Sequence, residues 1–492
     1  MKEKHFYKRP FPFLPCKKLS WVPHKFFFSN STLIIETGRK MISKAFSFTL
    51  LIVLVSFSSC FGYPIKFQPS SKNCLNIDSE SPNVVPQPSL PINRHRVKFP
   101  NFNQFNHGVV RCARRRPRQV IIFNVVHFGA KADGKTDASE AFRNAWDRAC
   151  KSSKRSIFLV PRHKTYHIRQ INFTGPCKSI MKMEIKGTIK AFSELYNDTK
   201  RFWINFHNLS NFEVRGGGII DGNGEIWWNN TCKIKKTQPC ENEQAPAAMT
   251  FDNCMNLKVT NLQIQNSQQM HLVFQECVDV KASYLKVTAP GKSPNTDGIH
   301  VTRTRNIDIT MSEIKTGDDC ISIVNGSKAI RVMDIECGPG HGISIGSLGE
   351  NQSESRVSDV LVNGARLSGT TNGVRIKSWQ GGSGYARNII FQNIQMQNVS
   401  NPIIIDQYYC DKDESCHKQK SAVQVMNVVY KNIRGTSASE VAIKFNCSDT
   451  VPCRALILEN VYLSRQGKGE AEAKCSNIIG LSNFGRFVSP SC

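Results

Sequence analysis

The sequence predicts an all-β solenoid, a parallel β-helix closed at its N-terminal end by a capping helix. Three observations carry this. Short alternating or β-branched runs recur at roughly twenty- to forty-residue intervals after Cys150, a period typical of stacked repeats. No long helical period interrupts them. One strongly amphipathic stretch precedes them all. A single short strand has no way to bury its own apolar face, so such repeats gain stability by stacking on one another. A β-sandwich would favour hairpin turns, and long connections join these runs instead.

The opening helix comes first in the chain. Asp137 and Glu140 form a D-x-x-E variant of a capping box. Ala138, Ala141, Phe142, Ala145, Trp146 and Ala149 then fall at i, i+3, i+4, i+7, i+8 and i+11, one apolar face of a helix. Just before it, residues 129–136 read GAKADGKT and fit the phosphate-cradling pattern G-x-x-x-x-G-K-[ST]. That loop belongs to doubly wound α/β domains with helices between parallel strands. Here one helix is followed by strands, and Asp133 and Asp137 would oppose a phosphate. The segment reads better as a turn feeding a helix that covers the open end of the solenoid.

The strand runs follow. They include Asn256-Leu-Lys-Val259, Val278-Asp-Val280, Asn306-Ile-Asp-Ile309, Ala329-Ile-Arg-Val332, Asp359-Val-Leu-Val362, Asn388-Ile-Ile-Phe391 and Leu456-Ile-Leu458. Asn at their bends can ladder on its neighbours.

The net charge of +27 is unevenly spread. Residues 1–62 carry +8 and residues 94–118 another +8, which leaves +11 from Gln119 to Cys492 because residues 63–93 balance. A basic main domain suits a polyanionic partner (nucleic acid, anionic lipid or acidic polysaccharide) or is simply a solvated basic surface. Compartment narrows this. Residues 41–62, MISKAFSFTLLIVLVSFSSCFG, have the basic, apolar and small-residue parts of a secretory signal peptide. Residues 1–40 are then an extension of doubtful translation, and residues 63–118 a basic linker or pro-segment. The catalytic domain is expected over 119–492.

The cysteines agree with an oxidising compartment. Of eighteen, setting aside Cys16 and Cys60 leaves sixteen, an even number. Cys320/Cys337, Cys410/Cys416, Cys447/Cys453 and Cys475/Cys492 are neighbours in sequence and candidates for pairing. Sequons at Asn172, Asn197, Asn208, Asn325, Asn351 and Asn398 fit a secreted glycoprotein.

Four stretches carry chemistry: Asn295-Thr296-Asp297-Gly298, Gly317-Asp318-Asp319-Cys320, Gly340-His341-Gly342 and Arg375-Ile376-Lys377. Singly, each has an ordinary reading as a turn, a cap or a solvated strand face. Their spacing joins them. From Asp297 to Asp318 is 21 residues, from Asp319 to His341 is 22 and from His341 to Arg375 is 34; if one coil takes about that many, the stretches stack on successive coils, roughly 4.8 Å apart. Three carboxylates, an imidazole, a guanidinium and an ammonium then share one face. Paired carboxylates supply the acid and base that glycoside hydrolysis needs, and the cations suit an acidic sugar. Crowding among the carboxylates holds one proton more tightly.

At these positions the chain resembles the polygalacturonases, pectin-degrading members of glycoside hydrolase family 28, in their plant-type form. The stretches concerned are SPNTDGIHV, TGDDCISI, CGPGHGISIGSLG, VRIKSWQGGSGYARNI and FGAKADGKTDASEAFRNAWDRAC, and the resemblance covers about Val120 to Cys492. It implies a right-handed parallel β-helix and hydrolysis of α-1,4-linked galacturonan with inversion. By motif, Asp318 is the general acid, Asp297 and Asp319 activate the water, and His341 supports the set. Arg375 and Lys377 bind galacturonate carboxylates. Tyr409 in IIIDQYYCD contacts substrate, with Tyr408 as the competing assignment, and Asn295 joins the substrate site. Internal cleavage is the expected mode, although cleft loops, not motifs, decide between it and end-trimming. The resemblance implies no cofactor and no metal, a monomer, a homogalacturonan partner, and a secreted, cell-wall location with no membrane association after signal removal.

Successive strand side chains alternate, so Asp318 and Asp319 face one cleft only if a bulge interrupts the strand. Pectate lyase would need calcium and an abstracting base, and the Asp-Asp and Gly-His-Gly pair has no place there. A catalytically silent pectin-binding β-helix usually lacks one carboxylate, and all are present here. Nucleic-acid binding lacks its basic helix or aromatic RNA-binding motif.

Overall fold

Alternation within each run decides where its side chains point. In Met255–Gln265, Leu257 and Val259 are fully buried while Lys258 between them is exposed. The computed structural model describes residues 119–195, 201–234, 245–411, 416–467 and 469–492. The expected extension, signal peptide and basic segment lie outside the described residues, as does Asn197.

The described chain is a right-handed parallel β-helix. All seven runs read from the sequence lie in one parallel sheet. Leu257 stands in register with Val280, Ile307, Ile330, Val360, Ile389, Val428 and Leu456, one residue per coil. Such a column places like on like in the core, and aromatic residues stack where they meet. The rings of Phe206, Phe251 and Phe274 lie 4.8 and 5.6 Å apart with interplanar angles of 12° and 14°.

The coils turn at residues in the left-handed region. Asn256, Asp279, Asn306, Asp359 and Asn388 have φ between 49° and 61°. Asn and Asp tolerate this conformation best among residues with a Cβ. Their side chains also join neighbouring coils. Asn388 Nδ2 donates to Asp359 Oδ1 at 2.9 Å, and Asn432 to Asn393 Oδ1 at 3.0 Å.

The capping helix is Ser139–Cys150, and its predicted apolar face is buried. Trp146 sits among Phe158, Phe173, Phe206 and Phe212, and its Nε1 donates to Thr174 O at 3.2 Å. The helix thereby seals the first hydrophobic layer. Its cap differs from a capping box. Asp137 Oδ1 accepts from the Ser139 N–H at 2.9 Å and from the Ser139 hydroxyl at 2.5 Å, and Asp137 pairs with Arg169. In the preceding loop the Asp133 carboxylate accepts from the N–H groups of Lys135 and Thr136 and from the Thr136 hydroxyl. These bonds hold its pKa well below the usual carboxylate range. The donors that would cradle a phosphate are spent on a side chain of the loop itself.

The neighbour pairs Cys320–Cys337, Cys410–Cys416, Cys447–Cys453 and Cys475–Cys492 are disulfides, joined by Cys150–Cys177. The even count does not mean full pairing, because Cys254 and Cys277 are buried free thiols. Of the sequon asparagines, Asn172, Asn208, Asn325, Asn351 and Asn398 are exposed. Among the described residues no helix is long and apolar enough to cross a membrane.

A second parallel sheet of eleven strands forms the face that carries the site. Two inward columns flank one outward column on it. The inward residues are Leu272, Ile299, Ile321, Ile343, Val374 and Ile403 on one side, and Phe274, Val301, Ile323, Ile345, Ile376 and Ile405 on the other, all buried. Between them the outward column runs Asn205, Thr250, Val273, His300, Ser322, Ser344, Arg375, Ile404 and Lys444.

Candidate active site

Each chemical stretch occupies the bend before a strand of this sheet or the strand itself. Asp297 precedes Ile299–Thr302, the Asp318–Asp319 pair precedes Ile321–Ile323, and His341 precedes Ile343–Leu348. Arg375 and Lys377 lie within Asn372–Trp379. The four stretches do meet on one face, as the spacing predicts. The bends are packed backbone to backbone, which is why they are rich in glycine. A Cβ on Gly317 would lie 2.0 Å from Ser293 O, and one on Gly342, at φ +85°, would lie 2.1 Å from Asn372 O.

The expected bulge is not how Asp318 and Asp319 come to face one cleft. The pair lies in the irregular bend between Arg305–Lys315 and Ile321–Ile323, outside any strand, so strand alternation does not apply to it. Asp318 Oδ1 accepts from the Asp319 N–H at 2.7 Å, which fixes the bend locally.

The two carboxylates have different surroundings. Asp318 Oδ1 also accepts from His341 Nδ1 at 3.1 Å. Asp319 is nearly inaccessible, with 2 % of its side chain exposed. Its Oδ1 accepts from Ser344 Oγ at 2.8 Å and from Arg375 at 3.1 Å, and its Oδ2 from Lys377 Nζ at 3.1 Å. Arg375 Nε also donates to Ser344 Oγ at 3.1 Å. Asp297 Oδ2 accepts from Ser322 Oγ at 2.7 Å.

Burial and the neighbouring charges set Asp297 and Asp318 apart. Burial, reinforced by the charges of Asp318 and Asp319, pushes the Asp297 carboxyl well above the usual range. Burial would raise Asp318 too, but the His341 hydrogen bond and charge, the Asp319 N–H and Lys377 outweigh it and hold Asp318 down to about 2. Asp297 therefore holds its proton to higher pH than Asp318 does.

Tyr409 lies beside the cations, with Lys377 Nζ 5.1 Å from its ring centroid and Trp379 edge-on at 5.2 Å. Burial raises its phenol pKa. Tyr408 points elsewhere, its hydroxyl accepting from the Asp449 N–H at 3.0 Å. Asn295 is half-buried at φ 55° in the bend before Asp297.

Asp318, Asp319 and His341 are the group of described residues whose donor atoms, within 4.8 Å of one another, approach a metal-binding arrangement. Arg375, Lys377 and Ser344 already occupy both oxygens of Asp319, so its charge is compensated without an ion.

Sequence reasoning missed His300, Ser322 and Ser344, which hold Asp297 and Asp319 in place. The signal was present. Ile299-His-Val301, Ile321-Ser-Ile323, Ile343-Ser-Ile345 and Val374-Arg-Ile376 are four apolar–x–apolar triplets, and the middle residue of each faces the cleft.

A parallel β-helix with carboxylates, imidazole and cations in one row defines a class, the β-helical glycoside hydrolases. Residues 150–486 match the model of glycosyl hydrolases family 28, and the chain belongs to that family. It is 54 % identical to a polygalacturonase of Persea americana over 370 residues, covering 73 % of this chain and 79 % of that one. It is 55 % identical to a polygalacturonase of Malus domestica over 372 residues, covering 75 % and 78 %. Its fold matches the crystal structure of endo-xylogalacturonan hydrolase from Aspergillus tubingensis with a TM-score of 0.64 and 21 % identity, over 74 % of this chain and 99 % of that one.

Proposed function

We propose that the protein is a secreted polygalacturonase that hydrolyses α-1,4-galacturonosidic bonds of de-esterified homogalacturonan in the plant cell wall, cutting internally and with inversion. The observation that carries this reading is the row itself: three acids beside Arg375 and Lys377, on a family 28 chain more than half identical to plant polygalacturonases.

In this reading Asp318 protonates the glycosidic oxygen as the bond to the anomeric carbon breaks. A water attacks that carbon from the opposite face and loses its proton to Asp297, assisted by Asp319, in one displacement. Asp297 spends one oxygen on Ser322 and keeps the other for the water. Arg375 and Lys377 use some of their donors on Asp319 and retain others for a sugar carboxylate. An arriving carboxylate competes for Lys377 and His341. That weakens what holds Asp318 down, so its pKa rises toward that of a working acid. Tyr409 and Asn295 are assigned to substrate contact.

The position of the row supports internal cutting. Four strands of the eleven-strand face precede the coil of Asp297 and three follow the coil of Arg375. At ~4.8 Å per strand, cleft floor extends roughly 14–19 Å to either side. The test is secreted protein on de-esterified polygalacturonate near pH 5, with Asp318→Asn in parallel. Reducing ends from wild type, down about 10²–10⁴-fold in the variant, are the expected result. An early viscosity drop is expected with internal cutting and a slow one with end-trimming. Tight pectate binding without product from wild type would overturn the hydrolase reading.

A further inference from the structure

We infer that His300 and Ser322 form a relay that positions Asp297 and stabilises its charged form, the imidazole donating to the serine oxygen and the serine hydroxyl donating on to the carboxylate. This rests on the reading of Asp297 as the water-activating carboxylate.

The geometry is specific. His300 Nδ1 lies 2.8 Å from Ser322 Oγ, which lies 2.7 Å from Asp297 Oδ2, while Nδ1 is 4.0 Å from that carboxylate oxygen directly. The serine therefore stands between them. Both ends are sheltered, with 16 % of the His300 side chain and 14 % of the Asp297 side chain exposed. Direction follows from donor counting. An ionised carboxylate only accepts and a hydroxyl has one proton, so the Ser322 proton goes to Asp297. Its oxygen is left to accept, which requires an N–H at Nδ1. Burial pushes His300 down to about 4, so in mild acid the ring is neutral and carries one proton, at Nδ1. Nε2 is then an acceptor, on a residue that lines the groove with Thr250, Val273, Gln275 and Thr302.

The relay answers a specific difficulty. A base must be ionised, yet burial and the charges of Asp318 and Asp319 all oppose ionisation of Asp297. The Ser322 hydrogen bond and the charge of Lys377 favour it. Arg375 and His341 face the same cleft but spend their bonds on Asp319 and Asp318. A serine hydroxyl rotates freely unless something fixes it, and His300 is that fixture. It is a positioning residue and acts through Ser322.

The sign of the effect follows. Losing the Ser322 bond raises the Asp297 pKa further, and a base works only when deprotonated. The acid limb of the kcat/KM profile therefore moves to higher pH. The experiment compares wild type, Ser322→Ala, His300→Ala, His300→Asn and the Ser322→Ala/His300→Ala double variant on polygalacturonate, with thermal melts of each. Ser322→Ala is expected to move the acid limb up by about one pH unit, a tenfold change in ionisation ratio. His300→Ala moves it in the same direction by less. His300→Asn, whose side-chain N–H falls where Nδ1 was, restores it. The double variant matches Ser322→Ala alone, since both act on one chain of bonds. An acid limb unmoved in Ser322→Ala, additive single effects, or a change confined to KM would each overturn the relay. If His300→Ala unfolds, Ser322→Ala and His300→Asn still decide it. Wild type that releases no reducing ends defeats the hydrolase reading instead, whereas an active wild type with an unmoved limb defeats only the relay.

Discussion

The outer corners and the cleft face of this solenoid are built by the same stacking rule and use it in opposite ways. At the corners like stands on like: Asn460 donates to Asn432, and Asn432 to Asn393. The rungs supply left-handed residues, and where the residue is Asn or Asp its side chain can also tie two coils, whereas Ala329 and Ala455 only turn the chain. On the cleft face the outward column is mixed, running His300, Ser322, Ser344 and Arg375. Unlike neighbours there pair by charge and hydrogen bond instead of by identity. Repetition marks what holds the coils together, and a break in repetition within the same register marks the chemistry.

The sharpest way to break this contrast is Lys377→Met. It leaves Asp319, almost wholly buried, with one cation fewer. Removing a partner from a buried ion pair costs about 3–5 kcal/mol, and losing a preorganised charge costs about 10²–10³-fold in kcat. A urea melt and a reducing-end assay should therefore both fail together for this variant. Trp146→Ala separates the two properties. It should destabilise by about 3–5 kcal/mol through the cavity left among Phe158, Phe173, Phe206 and Phe212, while kcat per folded molecule stays unchanged. Asn388→Ala should cost about 1–2 kcal/mol, from a lost ladder bond and an alanine forced into the left-handed region, again without effect on kcat. The finest test is His341→Ala. It removes the largest of the influences that hold Asp318 low, leaving the Asp319 N–H and Lys377 against burial, so the Asp318 pKa rises. An acid works while protonated, so the alkaline limb of kcat should shift upward even as kcat falls. A downward shift would assign the acid role elsewhere.

Most of the strand framework could be read from the sequence, because alternation within runs and their recurrence are both local patterns. The helix was equally plain, since its apolar face repeats at i, i+3 and i+4. The acids were legible because their spacing matched one coil. His300, Ser322 and Ser344 were not singled out, since a serine between two isoleucines looks like any half-exposed strand position until register shows what lies above it. The bulge was expected because the Asp318–Asp319 pair was placed inside a strand, whereas the chain is already bending there. Cys254 and Cys277 show the limit of counting: parity says how many thiols could pair, and only the fold says which ones meet.

The register of the cleft column has a consequence for natural variation in length. The interval from His300 to Ser322 is 22 residues and from Ser322 to Ser344 again 22, but from Ser344 to Arg375 it is 31, and still the fourth residue takes its place in the column. Surplus chain is expelled into the wall of the coil before pairing resumes. Insertions and deletions are thus filtered by where they fall. In a wall loop they can reshape the rim of the cleft while heredity keeps the floor intact. A single residue gained within Ile343–Leu348 would turn Ser344 into the core and Ile345 into the cleft. Lineages of this fold are free to diversify in outline and conservative in their footing.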